Sequence, residues 1–159
     1  AIDLVGVDNR EYQLEEQIKE IADLYDFILI DNPPSLGLLT INGLVASREI
    51  IIPVQCEYYA LEGLSQLLNT INLIKEHLQP ELDILGAVMT MYDGRNKLSK
   101  DVFNELYKYF PAKIFRSVIP RNVKIAESPS HGLSLRDYAP NSVGSNAYKR
   151  LAQEVILAK

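Results

Sequence analysis

The 159-residue sequence predicts an α/β fold in which a mostly parallel β-sheet is flanked by helices. Short, uninterrupted apolar runs alternate along the chain with longer stretches whose apolar residues recur at helical spacing. Apolar runs without polar alternation are typical of strands that are covered on both faces. Strands and helices that alternate in this way form parallel sheets with helices on each side. No repeat or linker-like stretch interrupts the pattern, so the sequence predicts a single domain over residues 1–159.

The predicted elements follow one another in a regular order. Residues 27–30 form an apolar run that ends at Asp31 and is stopped by Pro33–Pro34, which predicts a fully buried strand. Three further strands are predicted over residues 50–52, 84–91 and 114–119. Helical spacing of apolar residues predicts four helices, over residues 11–25, 61–78, 102–110 and 143–155.

Composition excludes several classes of protein. With 47% hydrophobic residues the chain is too apolar for a disordered tail. No apolar run approaches the roughly 20 residues that span a bilayer, and a single cysteine cannot form an internal disulfide. These features predict a cytoplasmic protein. The net charge of −5 argues against a protein that coats nucleic acid by bulk charge, although it leaves room for a local basic patch.

The residues that follow the strands are the candidates for function, because ligands bind at the carboxyl ends of strands in parallel sheets. Asp31 stands at the end of the first predicted strand, where a carboxylate can bind Mg²⁺ beside a nucleotide phosphate. The alternative is an aspartate that caps the next turn. Two histidines and one cysteine without ligand spacing predict no zinc site, and Cys56 is expected to be packed rather than reactive.

Four segments in order resemble the ParA/Soj-type partition ATPases of the MinD/ParA superfamily. Residues 31–40 (Asp-Asn-Pro-Pro-Ser-Leu-Gly-Leu-Leu-Thr) resemble the Walker B and switch region of that family. The other segments that match are residues 52–63, 90–95 and 119–132. The order of motifs fits from Tyr25 to the end of the chain, and several ordered motifs are far more specific than any one of them.

The chain also departs from the family pattern. Asn32 stands where the family usually has cysteine. The family binds ATP phosphates with a glycine-rich Gly-Lys-Thr loop, and this sequence contains no Gly-Lys pair. The resemblance therefore implies a P-loop NTPase-like fold without the strand and loop that carry the phosphate site. We expect no ATPase activity and no bound cofactor for these 159 residues alone.

The resemblance implies roles for five residues. Asp31 is expected to bind Mg²⁺ and to act in catalysis, Pro120 and Asn122 to contact the adenine, and Arg95 and Lys124 to bind DNA. A set of scattered exposed charges is the alternative for the last two. In the full-length protein the resemblance implies ATP and Mg²⁺ as cofactors, a homodimer formed on ATP binding, and non-specific DNA binding at the bacterial nucleoid. It also implies a ParB-like centromere-binding partner and no membrane.

Two other functions are compatible with the sequence. One is a non-enzymatic, truncated homologue that acts as an interaction domain. The other is a MinD-like ATPase that positions cell division, although residues 146–159 lack the basic amphipathic character of a membrane-binding helix.

Overall fold

The structure, a computed structural model, describes residues 4, 6–33, 35, 37–57 and 62–158, apart from the side chain of Glu62. Its contacts divide the chain into two compact units. The first unit comprises Ala1–Ile50 and Leu64–Asp83, and the second comprises Ile51–Gly63 and Ile84–Lys159. Each is described by itself.

The described elements alternate between helices and strands from Leu38 to Tyr109 and are helical on either side of that range. In chain order they are α1 (Gln13–Lys19), a 3₁₀ turn (Ala22–Leu24), α2 (Leu38–Val45), β1 (Glu49–Gln55), α3 (Glu62–His77), β2 (Asp83–Thr90), α4 (Lys97–Tyr109), α5 (Val123–Glu127), a second 3₁₀ turn (Ser128–His131), α6 (Leu135–Tyr138) and α7 (Val143–Leu157). Among the described residues no helix is both long and apolar enough to cross a membrane.

The sheet is parallel, as the sequence predicts. β1 and β2 are neighbours, and the Cys56 N–H that follows β1 donates to the carbonyl of Thr90 at 3.0 Å. On the other side of β2, residues 114–120 join the sheet through two parallel bridges, Ala87 to Ile114 and Tyr92 to Pro120. The predicted α/β class, with a parallel sheet flanked by helices, is confirmed.

The core of the second unit lies between β2, the 114–120 segment and α7. Val88, Phe115, Ile119 and Ala147 are buried there, and partly buried residues of α7 pack against them. A Cβ at Gly86 would lie 2.7 Å from the Phe115 ring, so a glycine is needed for that ring to pack against β2. The closing helix therefore packs through the face that its spacing predicts, apart from its first turn.

The strand predicted over residues 114–119 forms only at its ends. The carboxylate of Glu154, on α7, accepts the N–H groups of Arg116 and Ser117, both at 2.8 Å. The Ser117 hydroxyl donates to the same carboxylate. The Ser117 N–H therefore bonds to Glu154 and not to β2, and only isolated bridges join this segment to β2. A residue 37 positions away in sequence thus interrupts the predicted strand.

In the first unit, Asn42 connects α2 to the start of α1. Its side chain is buried, accepts the Leu14 N–H at 3.1 Å and donates to the carbonyls of Arg10 and Leu38 at 2.8 and 3.0 Å. The helix predicted over residues 11–25 is shorter in the structure. It spans only Gln13–Lys19, and a separate 3₁₀ turn follows over Ala22–Leu24.

The prediction of a fully buried strand over residues 27–30 is wrong. The segment is not part of a sheet, and Leu29 is 85% exposed. A strand needs neighbouring strands for its backbone hydrogen bonds and covering elements for its side chains. The only sheet in the described part of the chain is built from β1, β2 and the 114–120 segment, and it does not extend to these residues.

Candidate functional site

Asp31 lies in an exposed segment of the first unit, and helix α2 contacts the residues that follow Asp31 in the chain. Its carboxylate makes no hydrogen bond or ion pair among the described residues, whereas its neighbour Asn32 is half-buried. A Cβ at Gly43 of α2 would clash with Oδ1 of Asn32, so the Asn32 side chain lies directly against the helix backbone. Pro34 and Leu36, which belong to the same motif, lie outside the described residues.

Thr40 of α2 provides the second contact to this loop. The buried Thr40 hydroxyl lies 2.5 Å from the Ser35 carbonyl and 3.3 Å from the Pro33 carbonyl, close enough to donate to either. The loop after Asp31 is therefore positioned by two small residues on one helix. An exposed carboxylate on a loop that is braced in this way suits a metal ion that keeps most of its water ligands, as Mg²⁺ does.

We expect Thr40→Val to lower the free energy of unfolding by about 1 kcal/mol. The substitution keeps the shape of the side chain and removes the hydroxyl. The loss stays small because Pro33 and Ser35 are exposed, so water can replace the hydroxyl at their carbonyls. Thr40→Ser, which retains the hydroxyl, is the matched control for this contact. Chemical denaturation of the variants measures the difference, and a valine variant as stable as wild type would contradict the assignment.

The carboxyl ends of the second unit's strands bring together residues that are distant in sequence. Since the strands are parallel, the residues after β1, after β2 and after the 114–120 segment lie at one edge of the sheet. The Arg121 N–H donates to the Tyr92 carbonyl at 3.0 Å, which ties the last two strand ends together. Arg121 also donates from Nη2 to Oε1 of Glu57, after β1, at 3.0 Å. Residues 58–61, part of the 52–63 motif, lie outside the described residues.

Arg95 is paired with Asp93 in a two-pronged ion pair. Its Nε donates to Oδ1 at 3.0 Å and its Nη2 donates to Oδ2 at 2.9 Å. The Arg95 backbone N–H donates to Oδ1 as well. These hydrogen bonds lower the pKa of Asp93 to about 2. The Arg95 side chain is nevertheless 91% exposed, so it lies at the surface with its charge matched by its neighbour.

Lys124 belongs to a second small cluster. Its Nζ donates to Oε2 of Glu127 at 2.8 Å, and the Tyr138 hydroxyl donates to the same oxygen at 3.0 Å. The ammonium lies 5.5 Å from the centre of the Tyr138 ring, on which His131 stacks at 4.8 Å. The hydrogen bond from Lys124 is the main cause that lowers the pKa of Glu127, and the hydrogen bond to Glu127 raises the pKa of Lys124.

Pro120 and Asn122 flank Arg121 in the same loop. Pro120 is half-buried and bridged to Tyr92. The Asn122 side chain caps α5, because its Oδ1 accepts the Lys124 N–H at 2.8 Å. The amide nitrogen of Asn122 donates no hydrogen bond among the described residues, which leaves it available to a ligand.

The structure therefore places four of the five predicted site residues in the second unit and Asp31 in the first. Sequence reasoning assigned no role to Glu57, Asp93, Glu127 or Tyr138. The pair Lys124–Glu127 has a signal in its three-residue spacing, and the pair Asp93–Arg95 lies two residues apart in one loop. The pair Glu57–Arg121 spans 64 residues and has no such signal.

Cys56 is buried, as predicted. Burial raises the pKa of its thiol above the ordinary value, against a smaller opposite effect from Ser99. A thiol of this kind is a packing residue rather than a nucleophile.

In the part of the chain that the structure describes, no three His, Cys, Asp or Glu residues cluster so as to bind a metal ion between them. A Mg²⁺ ion bound at Asp31 would thus rely on water and phosphate oxygens for its other ligands.

Comparison with known proteins gives the family. Residues 1–84 match a family described as an AAA domain. The chain is 52% identical over 154 residues to the sporulation initiation inhibitor protein Soj of Bacillus subtilis (strain 168), covering 97% of this chain and 61% of that protein. It is 48% identical over 156 residues to the chromosome-partitioning ATPase Soj of Treponema pallidum (strain Nichols), covering 98% and 62%. The chain thus spans about three fifths of the length of these relatives.

Solved structures share the fold of this chain. The cobyrinic acid a,c-diamide synthase of Mycobacterium smegmatis, with bound ATP analogue and magnesium, has a TM-score of 0.80 and 32% identity, covering 98% of this chain and 56% of that one. The cell division ATPase MinD of Pyrococcus furiosus has a TM-score of 0.69 and 28% identity, covering 94% and 59%. On the family match and these relatives, the chain belongs to the ParA/Soj-type partition ATPases of the MinD/ParA family.

Proposed function

We propose that this protein is an ATP-dependent partition ATPase that segregates chromosomal or plasmid DNA. The observation that carries the proposal is the identity of 52% and 48% to two Soj proteins along nearly the whole chain. One of these relatives is named a chromosome-partitioning ATPase, which supports DNA segregation rather than another ATP-driven process. Binding of ATP makes the protein dimerise, and the dimer binds DNA without sequence preference.

Asp31 is the proposed metal-binding and catalytic residue. Its exposed carboxylate can bind Mg²⁺ through water beside the nucleotide phosphates. When bound, Mg²⁺ neutralises charge that develops on the phosphates during hydrolysis. Thr40 and Gly43 of α2 keep the Asp31 loop in place. A solved relative that contains an ATP analogue and magnesium supports nucleotide and metal use in this fold.

Pro120 and Asn122 are the proposed adenine contacts. The Pro120 ring offers an apolar surface to the base, and the Asn122 amide nitrogen can donate to a ring nitrogen while its oxygen caps α5. A side chain that is fixed by its own helix cap presents its donor in one orientation, which favours recognition of a planar base.

Arg95 and Lys124 are the proposed DNA contacts. Both side chains are exposed, at 91% and 51%, and both belong to the second unit. Phosphate contacts need only a few accessible cations and carry no sequence information. A net charge of −5 is therefore compatible with DNA binding through a local surface.

A ParB-like centromere-binding protein is the proposed partner, and the bacterial cytoplasm, at the nucleoid, is the proposed location.

A MinD-like membrane role is less well supported by the last helix. Ala147, Leu151 and Val155 of α7 pack into the core of the second unit, so these three residues are not available to a lipid surface. A non-enzymatic homologue is the remaining alternative, and only an enzyme will bind and hydrolyse Mg-ATP.

The proposed DNA contacts are tested by the double substitution Arg95→Ala with Lys124→Ala in the full-length protein. We expect DNA affinity to fall about 10-fold or more in the presence of Mg-ATP, equally on unrelated sequences. The slope of log affinity against log salt concentration should shrink by about 0.9 for each phosphate that the variant no longer neutralises. Fluorescence anisotropy on two duplexes at several salt concentrations measures both quantities.

A matched control is the double substitution Lys19→Ala with Arg48→Ala. It removes one lysine and one arginine that are also exposed and paired with carboxylates, but both lie in the first unit. We expect this variant to bind DNA like the wild type. Equal losses in the two double variants would show that net charge, rather than the Arg95 and Lys124 surface, determines DNA binding.

A further inference from the structure

The proposed DNA surface lies in the most basic part of an acidic chain. Residues 95–124 contain eight lysines and arginines but only two acidic residues, whereas the whole chain has a net charge of −5. Basic residues in such a segment should attract a polyanion strongly. The geometry of the two proposed DNA contacts opposes this attraction, because each cation already has a carboxylate partner.

The two partners lie just outside the basic segment, one at each end. Asp93 binds the guanidinium of Arg95 through both oxygens. Glu127 accepts from Lys124 through an oxygen that the Tyr138 hydroxyl also contacts, which fixes that carboxylate in place. Each of the two proposed DNA contacts is thus neutralised by a carboxylate to which no other role is assigned.

We propose that Asp93 and Glu127 set the DNA affinity of this protein by competing with DNA phosphates for Arg95 and Lys124. This inference rests on the proposed function of those two cations. The Asp93 carboxylate takes the same pair of guanidinium N–H groups, in the same two-pronged geometry, that a phosphate would take. DNA therefore has to displace the carboxylate or share the guanidinium with it, and either outcome weakens binding.

The competition operates throughout the pH range in which DNA binding is measured. Hydrogen bonds from Arg95 lower the pKa of Asp93 to about 2, and the hydrogen bond from Lys124 lowers the pKa of Glu127. Both carboxylates are consequently ionised at neutral pH. All four side chains are at least partly exposed, so each pair is weak enough for phosphate to displace it. An exposed pair corresponds to a factor of up to about five in an equilibrium constant.

The test is the double substitution Asp93→Asn with Glu127→Gln in the full-length protein with Mg-ATP, at about 0.15 M salt. At that ionic strength charges more than about 8 Å apart are largely screened, so the measurement reports local effects. We expect DNA affinity to rise about 5- to 20-fold, because the variant removes both ion pairs and each is worth a factor of up to about five. The rise should be equal on two unrelated duplexes. The matched control for the Glu127→Gln half of this test is Glu105→Gln, which breaks the pair with Lys108 at the same three-residue spacing and likewise removes one negative charge from the second unit.

A double-mutant cycle separates competition from simple repulsion. If Asp93 acts through Arg95, Asp93→Asn raises affinity in the wild-type protein but not in the Arg95→Ala background. A gain of equal size in both backgrounds would overturn the proposal, because the carboxylate would then act on DNA directly. The proposal would also be overturned if the double variant Asp93→Asn with Glu127→Gln gained no more DNA affinity than Glu105→Gln.

These outcomes also distinguish the inference from the proposed function. Where Arg95→Ala with Lys124→Ala weakens DNA binding but the acidic variants bind like wild type, the DNA surface stands and only the competition is wrong. Where the alanine variants bind DNA like wild type, the DNA assignment fails and the competition fails with it.

Discussion

Replacing Asp31 with alanine is expected to reduce ATP hydrolysis by the full-length protein at least about 100-fold, because a bound metal ion contributes several kcal/mol to stabilisation of the transition state. The fold should be unaffected. Asp31 is exposed and makes no hydrogen bond or ion pair among the described residues. Its replacement therefore removes no stabilising contact between those residues. Phosphate release at saturating Mg-ATP measures the rate, and thermal unfolding confirms the fold.

Two further variants sharpen this experiment. Asp26→Ala removes another exposed carboxylate of the same unit and should leave hydrolysis unchanged. Asp31→Asn keeps the shape of the side chain and one neutral oxygen, so partial activity that recovers at high Mg²⁺ concentration would support a metal-binding role. Wild-type turnover in Asp31→Ala would contradict the metal-binding role and favour the alternative, in which Asp31 caps a turn.

The sequence predicts candidate site residues only where their signals are local. Asp31, Pro120 and Asn122 lie in ordered motifs, and Asn122 also precedes a helix that it caps. The partner of Arg121 was missed for a different reason. Glu57 reaches Arg121 only because parallel strands bring their carboxyl ends to one edge of the sheet.

The fold was predictable to a similar extent. Helical spacing predicted α3, α4 and α7, and apolar runs predicted β1 and β2. The run at 27–30 is an exception, because its composition is that of a buried strand while Phe27, Ile28 and Leu29 are exposed. An apolar run indicates that a segment can be buried. Whether it is buried depends on neighbours that lie elsewhere in the chain, and no local pattern reports them.

Replacing Glu154 with alanine is expected to destabilise the second unit strongly. The carboxylate accepts two backbone N–H groups and one hydroxyl from Arg116 and Ser117, and hydrogen bonds to charged groups each contribute about 1.5–3 kcal/mol. Water can replace the carboxylate at the exposed Arg116 N–H but not as readily at the buried Ser117. We therefore expect a decrease of about 2–4 kcal/mol in the free energy of unfolding.

The effect of Glu154→Ala should depend on its acceptor oxygens rather than on loss of a side chain from α7. Glu154→Gln keeps one acceptor oxygen and should lose about half as much stability, whereas Gln153→Ala, at the exposed neighbouring position, should change it by less than about 0.5 kcal/mol. Chemical denaturation with a common m-value gives the three differences. A Glu154→Ala variant no less stable than Gln153→Ala would show that the carboxylate does not anchor residues 116–117.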